Sequence, residues 1–305
     1  MVRTTAWAKG VRKLVPLLVF LTLYAAFQDP LSLSLWRSAH HPARAQRKQV
    51  AIGLHLPQFY SAHGQDRWLL ENLLDVYSPS ESLKFVEAGT FDGLTGSNAA
   101  TLEQFFGGIG LCYEPNPTMF KLVQQRRTCV AFNAMLCQTR DTGVELTFTE
   151  FAAPREQESG VISLMDDYKK NLVKQYEVRS EHRIQCRSLS NDIKTFFGGH
   201  LHLLSLDVEG AELDTLENLD WDEITIDIII VERSHEQKVK ACLVRHGFLH
   251  VALVGHDNVF VHEQSPAVSK YRDGCGCLLS GECQFAKMYP DAGWLNCGDS
   301  KPKQH

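Results

Sequence analysis

The first residues whose types and spacing suggest chemistry are Glu87-Ala88-Gly89-Thr90-Phe91-Asp92-Gly93, between a predicted strand and a predicted helix. Glycine at such a junction lets a ligand approach the backbone closely, and the helix N-terminus favours a carboxylate or phosphate. A dinucleotide site needs G-x-G-x-x-G, whereas this segment has G-x-x-x-G-x-x-G. The acid Glu87 suits a ligand with an ammonium group and would repel a pyrophosphate. A tight turn without a ligand is the alternative.

A second candidate is Glu114, which ends the next predicted strand and precedes Pro115-Asn116-Pro117. A carboxylate at this point can accept hydrogen bonds from both ribose hydroxyls of a nucleoside that lies over the strand ends. An acid at a strand end is also common as a solvated side chain, and we expect Glu114 to be partly solvated. Its position one strand–helix–strand step after Glu87 favours the ribose role.

A third group follows a later predicted strand, where Asp207 and Glu209 flank Val208. Both acids can point into the cleft above the carboxyl edge of a parallel sheet, where ligands bind in open α/β folds. A cap on the following helix is the alternative for Glu209. His235 comes after the next apolar strand and is a candidate base, although a lone histidine at a helix start is more often structural.

A parallel sheet would bring these residues to one edge, and the alternation of short apolar runs with helical patterns predicts one. The predicted strands cover residues 83–88, 109–113, 128–132, 201–206 and 224–231, with a closing pair at 248–254 and 258–262. The predicted helices cover residues 94–106, 117–126 and 236–246, and another begins at Ala211. Residues 141–187 contain VELTF and HRIQC, which alternate like antiparallel strands around polar stretches. This segment predicts an excursion near the substrate side.

Five segments resemble, in matching order, the FkbM-type methyltransferase domain over about residues 60–262: HGQDRWLLENLL (63–74), FVEAGTFDGLTGSN (85–98), LCYEPNP (111–117), LLSLDVEGAELDTLENLDW (203–221) and IIIVE (228–232). The resemblance implies an α/β, Rossmann-like class I methyltransferase fold with a mostly parallel seven-stranded sheet. It implies S-adenosyl-L-methionine as cofactor and, in active members, O-methylation of small or glycan-like acceptors. By position, the residues that match the cofactor loop and ribose acid are Glu87, Gly89, Gly93 and Glu114, and those that match the cleft motif are Asp207 and Glu209.

The N-terminus predicts a signal-anchor: a basic tail at residues 1–13, a transmembrane segment at 14–28 and a stem at 29–50. The uncharged run Leu14 to Phe27 spans roughly 21 Å at about 1.5 Å per residue, short of a hydrocarbon core of roughly 30 Å. Snorkelling by Lys13 and the thinner early secretory membranes narrow the gap. A cleaved signal peptide is the alternative. Either way, we expect the methyltransferase-like domain (51–265) in the lumen, and with the anchor we expect the N-terminus in the cytosol.

The nine cysteines divide by position. Five lie in or beside apolar runs and are expected to be small buried hydrophobic residues: Cys112, Cys129, Cys137, Cys186 and Cys242. Four crowd the polar tail 266–305, where we expect disulfides: Cys275, Cys277, Cys283 and Cys297. A zinc site is the alternative in the tail, but the spacing C-x-C-x5-C-x13-C fits no common zinc pattern, so no metal is expected.

Two functions from different classes stay open. In a methyltransferase, Asp207 or Glu209 would position the acceptor and His235 would take its proton. The block SLDVEGAE with an N-terminal anchor also resembles a subgroup that includes Star, a membrane protein of vesicle-mediated transport between endoplasmic reticulum, Golgi and endosome. A catalytically silent, cargo-binding member is therefore the alternative. The expected partners are a membrane and a small-molecule or glycan acceptor, or a protein cargo; the net charge of −5 argues against nucleic acid.

Overall fold

The computed structural model of the protein describes residues 57–78, 81–272 and 277–278. Its strands, in chain order, are β1 (Lys84–Ala88), β2 (Ile109–Tyr113), β3 (Val130–Phe132), β4 (Met135–Cys137), β5 (Glu145–Phe151), β6 (Val178–Ser188), β7 (His200–Leu206), β8 (Thr225–Glu232), β9 (Phe248–Val254), β10 (Asp257–His262), β11 (Tyr271–Arg272) and β12 (Cys277–Leu278). Its α-helices are α1 (Gln65–Asn72), α2 (Ala100–Phe106), α3 (Pro117–Arg126), α4 (Asp167–Val173), α5 (Leu189–Phe197), α6 (Glu212–Glu217) and α7 (Glu236–Arg245). Short 3-10 turns occupy Leu74–Val76, Thr139–Asp141, Glu156–Glu158 and Pro266–Lys270.

Seven strands form the central sheet, in the order β3-β2-β1-β7-β8-β10-β9. All neighbouring pairs are parallel except those of β10, which runs antiparallel to β8 and to β9. The predicted α/β class and the mostly parallel sheet with its closing antiparallel pair are confirmed.

Hydrophobic cores cover both faces of this sheet, because successive side chains of a strand point to opposite faces. In β8, Ile228 and Ile230 belong to one core, whereas Ile229 and Val231 belong to the other. Helices α1, α2 and α3 contribute to the first core, and α5, α6 and α7 to the second. A strand that is buried on both faces reads as a continuous apolar run, which is why β8 was visible in the sequence.

A second sheet lies in the excursion between β3 and β7, with strand order β4-β6-β5. Strands β5 and β6 pair antiparallel, which confirms the prediction from VELTF and HRIQC. The polar stretch between them contains α4, whose N-cap is Asp166; its side chain accepts a hydrogen bond from the backbone N–H of Lys169. The excursion is therefore a folded unit rather than an open loop.

Two disulfide bonds correct the expectation for the cysteines of the domain. Cys112 is bonded to Cys129, with Cα atoms 6.0 Å apart, and Cys137 is bonded to Cys186, with Cα atoms 5.7 Å apart. The second pair joins β4 to β6, whose register places Met135 opposite Cys186. Such proximity depends on strand pairing, so the apolar surroundings of each cysteine could not show it. Cys242 is a buried free thiol, as expected.

Helix α2 begins at Ala100 rather than at Leu94 as predicted. The preceding residues form turns, with Gly93 and Gly96 at positive φ. The Glu87 carboxylate accepts hydrogen bonds from the backbone N–H groups of Asn98 and Ala99, at the start of the helix. The glycines that extend the loop thus displace the helix start.

The predicted membrane segment at residues 14–28, the stem and the tail cysteine side chains lie outside the described residues. Among the residues that the structure does describe, no helix has the length and apolar character needed to cross a bilayer.

Candidate active site

A cavity of about 310 Å³ lies at the carboxyl edge of the central sheet. The segments that follow β1, β2 and β7 form one side, and β5 with the loop after it forms another. Among the predicted site residues, those that line the cavity are Gly89, Glu114, Asp207 and Glu209, and those that do not are Glu87, Gly93 and His235. The described lining carries seven carboxylate side chains and no lysine or arginine. A lining with acids and without a cationic side chain disfavours an anionic ligand such as a pyrophosphate.

Gly89 brings the loop after β1 against β7. Its φ of +83° is a left-handed conformation, and a Cβ on Gly89 would overlap the carbonyl oxygen of Asp207. The backbone N–H of Gly89 donates to the Tyr113 carbonyl at 3.0 Å, which ties the loop to the end of β2. Only glycine permits this close approach of the loop to the strand.

Glu87 lies beneath the loop, where it is 3% exposed, and its carboxylate is held by other groups. Arg127 donates to it at 2.7 Å, and Ser97 Oγ donates to both of its oxygens. The same guanidinium, fully buried, contacts Glu103 at 2.6 Å and donates to the Gly93 carbonyl at 3.0 Å. The structure thus places Glu87 and Gly93 in the support of the loop and not at the cavity surface. Arg127 was missed because it follows a helix end, where an arginine is usually solvated.

Glu114 is 5% exposed, which contradicts the expectation of a partly solvated acid. The loop after β1 covers it: the N–H of Phe91 donates to one carboxylate oxygen at 2.7 Å, and the N–H of Asn116 donates to the other at 2.8 Å. Burial raises the pKa of Glu114 to about 8, although these two hydrogen bonds favour the ionised form. The carboxylate is therefore fixed in orientation at the cavity wall.

Three carboxylates meet at the other end of the cavity, from Asp207, Glu209 and Glu232, and their oxygens lie within 4.8 Å of one another. Asp207 is exposed towards the cavity. Desolvation inside the cavity, together with the nearby carboxylates of Glu232 and Glu209, raises the pKa of Asp207 well above the ordinary value. Burial and Glu232 raise the pKa of Glu209 to about 8, and Lys169 opposes this rise. Lys169 contacts Glu209 and lies 3.1 Å from Glu232.

The turn that carries Asp207 and Glu209 is tightly held. Glu209 has a φ of +56°, which is strained for a residue with a side chain. Glu212 accepts hydrogen bonds from the N–H groups of Val208 and Gly210 and from the Ser234 hydroxyl. The helix-start acid that caps this turn is thus Glu212, and Glu209 is left to face the cavity.

His235 lies outside the cavity lining, and its Nε2 is 3.2 Å from the carbonyl oxygen of Leu164. The residue is the N-cap of α7 with a φ of +45°, and this turn points the ring at the loop backbone. The structure therefore places His235 in contact with the excursion and does not bring it to the cavity with Asp207 and Glu209.

The cavity fits S-adenosylmethionine by charge and by unsatisfied polar atoms. The cofactor carries a sulfonium and an ammonium group, which suit an acid-lined wall. Within the described part of the chain, Asn98 Oδ1 and Thr215 Oγ1 are buried without a hydrogen-bond partner, and both residues line the cavity. Ala134, Met135 and Leu136 add an apolar surface next to Glu114 that suits an adenine ring.

The strand order and the position of the cavity define a Rossmann-like fold of the class I methyltransferase type. Residues 87–260 match the profile of the "Methyltransferase FkbM domain". Because the match covers more than half of the 305 residues, the chain belongs to the FkbM methyltransferase domain family. Membership implies use of S-adenosylmethionine.

Two solved structures are similar to the chain at 11% identity. One is precorrin-6y C5,15-methyltransferase from Geobacter metallireducens GS-15, with a TM-score of 0.32, over 68% of this chain and 96% of that one. The other is the human methyltransferase 10 domain containing protein, with a TM-score of 0.31, over 77% and 97%. No curated protein matches the chain.

Proposed function

We propose that the protein is an S-adenosylmethionine-dependent methyltransferase that methylates a hydroxyl group of a small-molecule or glycan acceptor. The observation that carries this proposal is the arrangement of acids at the two ends of one cavity. Glu114 lies at the end suited to a ribose, and Asp207 faces the cavity at the other end. Carboxylates at both ends suit a cationic cofactor and a neutral acceptor, and they disfavour an anionic acceptor.

Asp207 is the base in this proposal. The cofactor, when bound, supplies a methyl group on a sulfonium sulfur. Asp207 would take the proton of the acceptor hydroxyl, whose oxygen would receive the methyl group that the cofactor supplies as it becomes a neutral thioether. An aspartate whose pKa is raised is a stronger base than an ordinary one.

Glu209 and Glu232 orient the acceptor in this scheme, while Asn98 and the loop at Gly89 hold the amino-acid end of the cofactor. Orientation of this kind supplies much of the rate of a two-reactant displacement. The apolar side chains Leu146 and Phe148 of β5 also line the cavity and belong to the same cluster as Met135, so they extend the surface assigned to the adenine ring.

We also propose that the chain is anchored by residues 14–28 in a membrane of the endoplasmic reticulum, Golgi or endosome, with the domain in the lumen. The basic residues before this segment support this orientation. The two disulfides of the domain support an oxidising compartment.

Transfer of a tritiated methyl group by the full-length protein tests the proposed reaction against a panel of polyols and glycans. Asp207→Asn should abolish transfer and still bind S-adenosylhomocysteine, whereas the matched change Asp222→Asn, at an exposed residue outside the cavity, should have no effect. Transfer to amines alone would contradict the hydroxyl acceptor. Absence of cofactor binding would favour the Star-like alternative, a catalytically silent module that transports cargo.

A further inference from the structure

The carboxylates of Asp207, Glu209 and Glu232 form a cluster of like charges that a nearby cation would stabilise. Asp207 and Glu209 come from the turn after β7, and Glu232 is the last residue of β8. Their oxygens lie within 4.8 Å of one another, where like charges repel strongly. Three carboxylate oxygens at this spacing are also the kind of ligand set that divalent cations use.

The positive charge comes from the excursion and not from the central sheet. Lys169, on α4, reaches the cluster with its ammonium group, which contacts Glu209 and lies 3.1 Å from the Oε2 atom of Glu232. Its side chain is only 14% exposed, and the two glutamates raise its pKa, so the group is charged. Asp207, Glu209 and Glu232 line the cavity, whereas Lys169 does not.

We propose that Lys169 is the resident cation of this cluster, a positioning residue that occupies the place a divalent metal ion would otherwise take. Its ammonium group holds Glu209 and Glu232 as a pair and leaves Asp207 as the carboxylate that faces the acceptor. The role of Asp207 rests on the proposed function, whereas the exclusion of a metal ion rests on the position of Lys169 alone.

The packing of the excursion supports this role. Gly210, in the same turn as Glu209, is so close to Met165 that a Cβ on it would lie 2.7 Å from the Met165 Cα atom. Met165 itself is 1% exposed and lies four residues before Lys169. The turn and the segment that carries Lys169 are thus packed backbone to backbone, which fixes the ammonium group against the carboxylates. An ammonium at this distance excludes a second cation by repulsion and by volume.

The test is a titration of the full-length protein with Mn²⁺, monitored by the paramagnetic resonance of free Mn²⁺ and by thermal unfolding. Wild type should not bind Mn²⁺ at this cluster. Lys169→Met removes the charge with little change of length, and it should bind Mn²⁺ at least tenfold more tightly than wild type. Without metal its Tm should fall by several degrees, and Mn²⁺ should restore it, because three uncompensated carboxylates then bind the ion.

Two further variants make the outcome decisive. Lys170→Met removes the same charge from the next position of α4 and should bind no Mn²⁺. Lys169→Arg keeps the charge and should also bind none. The proposal is overturned if wild type binds Mn²⁺ at this cluster, or if Lys169→Met gains no Mn²⁺ affinity. If Lys169→Met does not fold, Mn²⁺ binding by wild type or by Lys169→Arg overturns the proposal, and no binding by either supports it. None of these readouts needs cofactor or acceptor, so they stand whether or not methyl transfer is found.

Discussion

Replacement of Glu114 by alanine tests where the cofactor's ribose lies. The variant loses the carboxyl group that would accept both ribose hydroxyls. Burial raises the pKa of Glu114 to about 8 in the protein without ligand, but two donated hydroxyls favour the ionised form, and hydrogen bonds to a charged group contribute about 1.5–3 kcal/mol. Since about 1.4 kcal/mol is a factor of ten, affinity should fall by roughly one to two decades. Isothermal titration with S-adenosylhomocysteine and with 5′-methylthioadenosine measures the loss. Both ligands share the ribose, so both affinities should fall by the same factor.

The matched control is Glu156→Ala, which removes a carboxylate that lines the same cavity from the loop after β5. This variant should bind 5′-methylthioadenosine with an affinity within about threefold of wild type, because Glu114 still accepts the ribose hydroxyls. Circular dichroism and thermal unfolding should show that both variants are folded. The reasoning is refuted if Glu114→Ala binds both ligands as wild type does. A loss confined to S-adenosylhomocysteine would place the amino-acid end of the cofactor at Glu114 instead.

Three further predictions concern the support of the site. Gly89→Ala should abolish cofactor binding and destabilise the fold. The control is Gly143→Ala, because Gly143 has a similar φ of +88° and open space around it; this change should lower the free energy of unfolding in urea by only about 1–2 kcal/mol. Arg127→Ala should lower the free energy of unfolding by about 3–5 kcal/mol, because it leaves the buried carboxylates of Glu87 and Glu103 without their cation. Arg126→Ala, which breaks a partly exposed ion pair, should lower it by about 1 kcal/mol or less. Because the pKa of Glu114 is raised to about 8, the folded state holds a proton that the unfolded state has lost, and the free energy of unfolding should fall as pH rises from about 4.5 to 8. Glu114→Gln should show a weaker pH dependence of that free energy. The same pH dependence in Glu114→Gln and wild type would contradict the raised pKa.

The sequence predicted the central sheet because its strands are recognisable one at a time. The eight-residue apolar run at β8 and the alternation in β5 and β6 are local patterns, and each appears in the structure as predicted. Gly89 and Glu114 were predictable for the same reason: each closes a strand of an order that is common to many α/β folds. Position along the chain was sufficient for these residues.

Contacts between distant segments could not be read in the same way. The bond between Cys137 and Cys186 requires the register of β4 against β6, and the apolar neighbours of each cysteine hid it. Lys169 lies in a polar stretch, which is typical of a solvated surface, yet the excursion folds back and buries it beside Glu209. His235 follows the apolar strand β8, which made it a candidate base, but the backbone turn at the start of α7 directs its ring towards the carbonyl oxygen of Leu164.

Titration of the full-length protein with S-adenosylmethionine tests the central claim most directly. If the cavity at the carboxyl edge of the sheet is a cofactor site, the protein should bind one molecule of S-adenosylmethionine per chain at micromolar concentrations, and Glu114→Ala should weaken that binding. The methyltransferase account would be contradicted if the protein does not bind S-adenosylmethionine at millimolar concentration while a cooperative unfolding transition shows that it is folded.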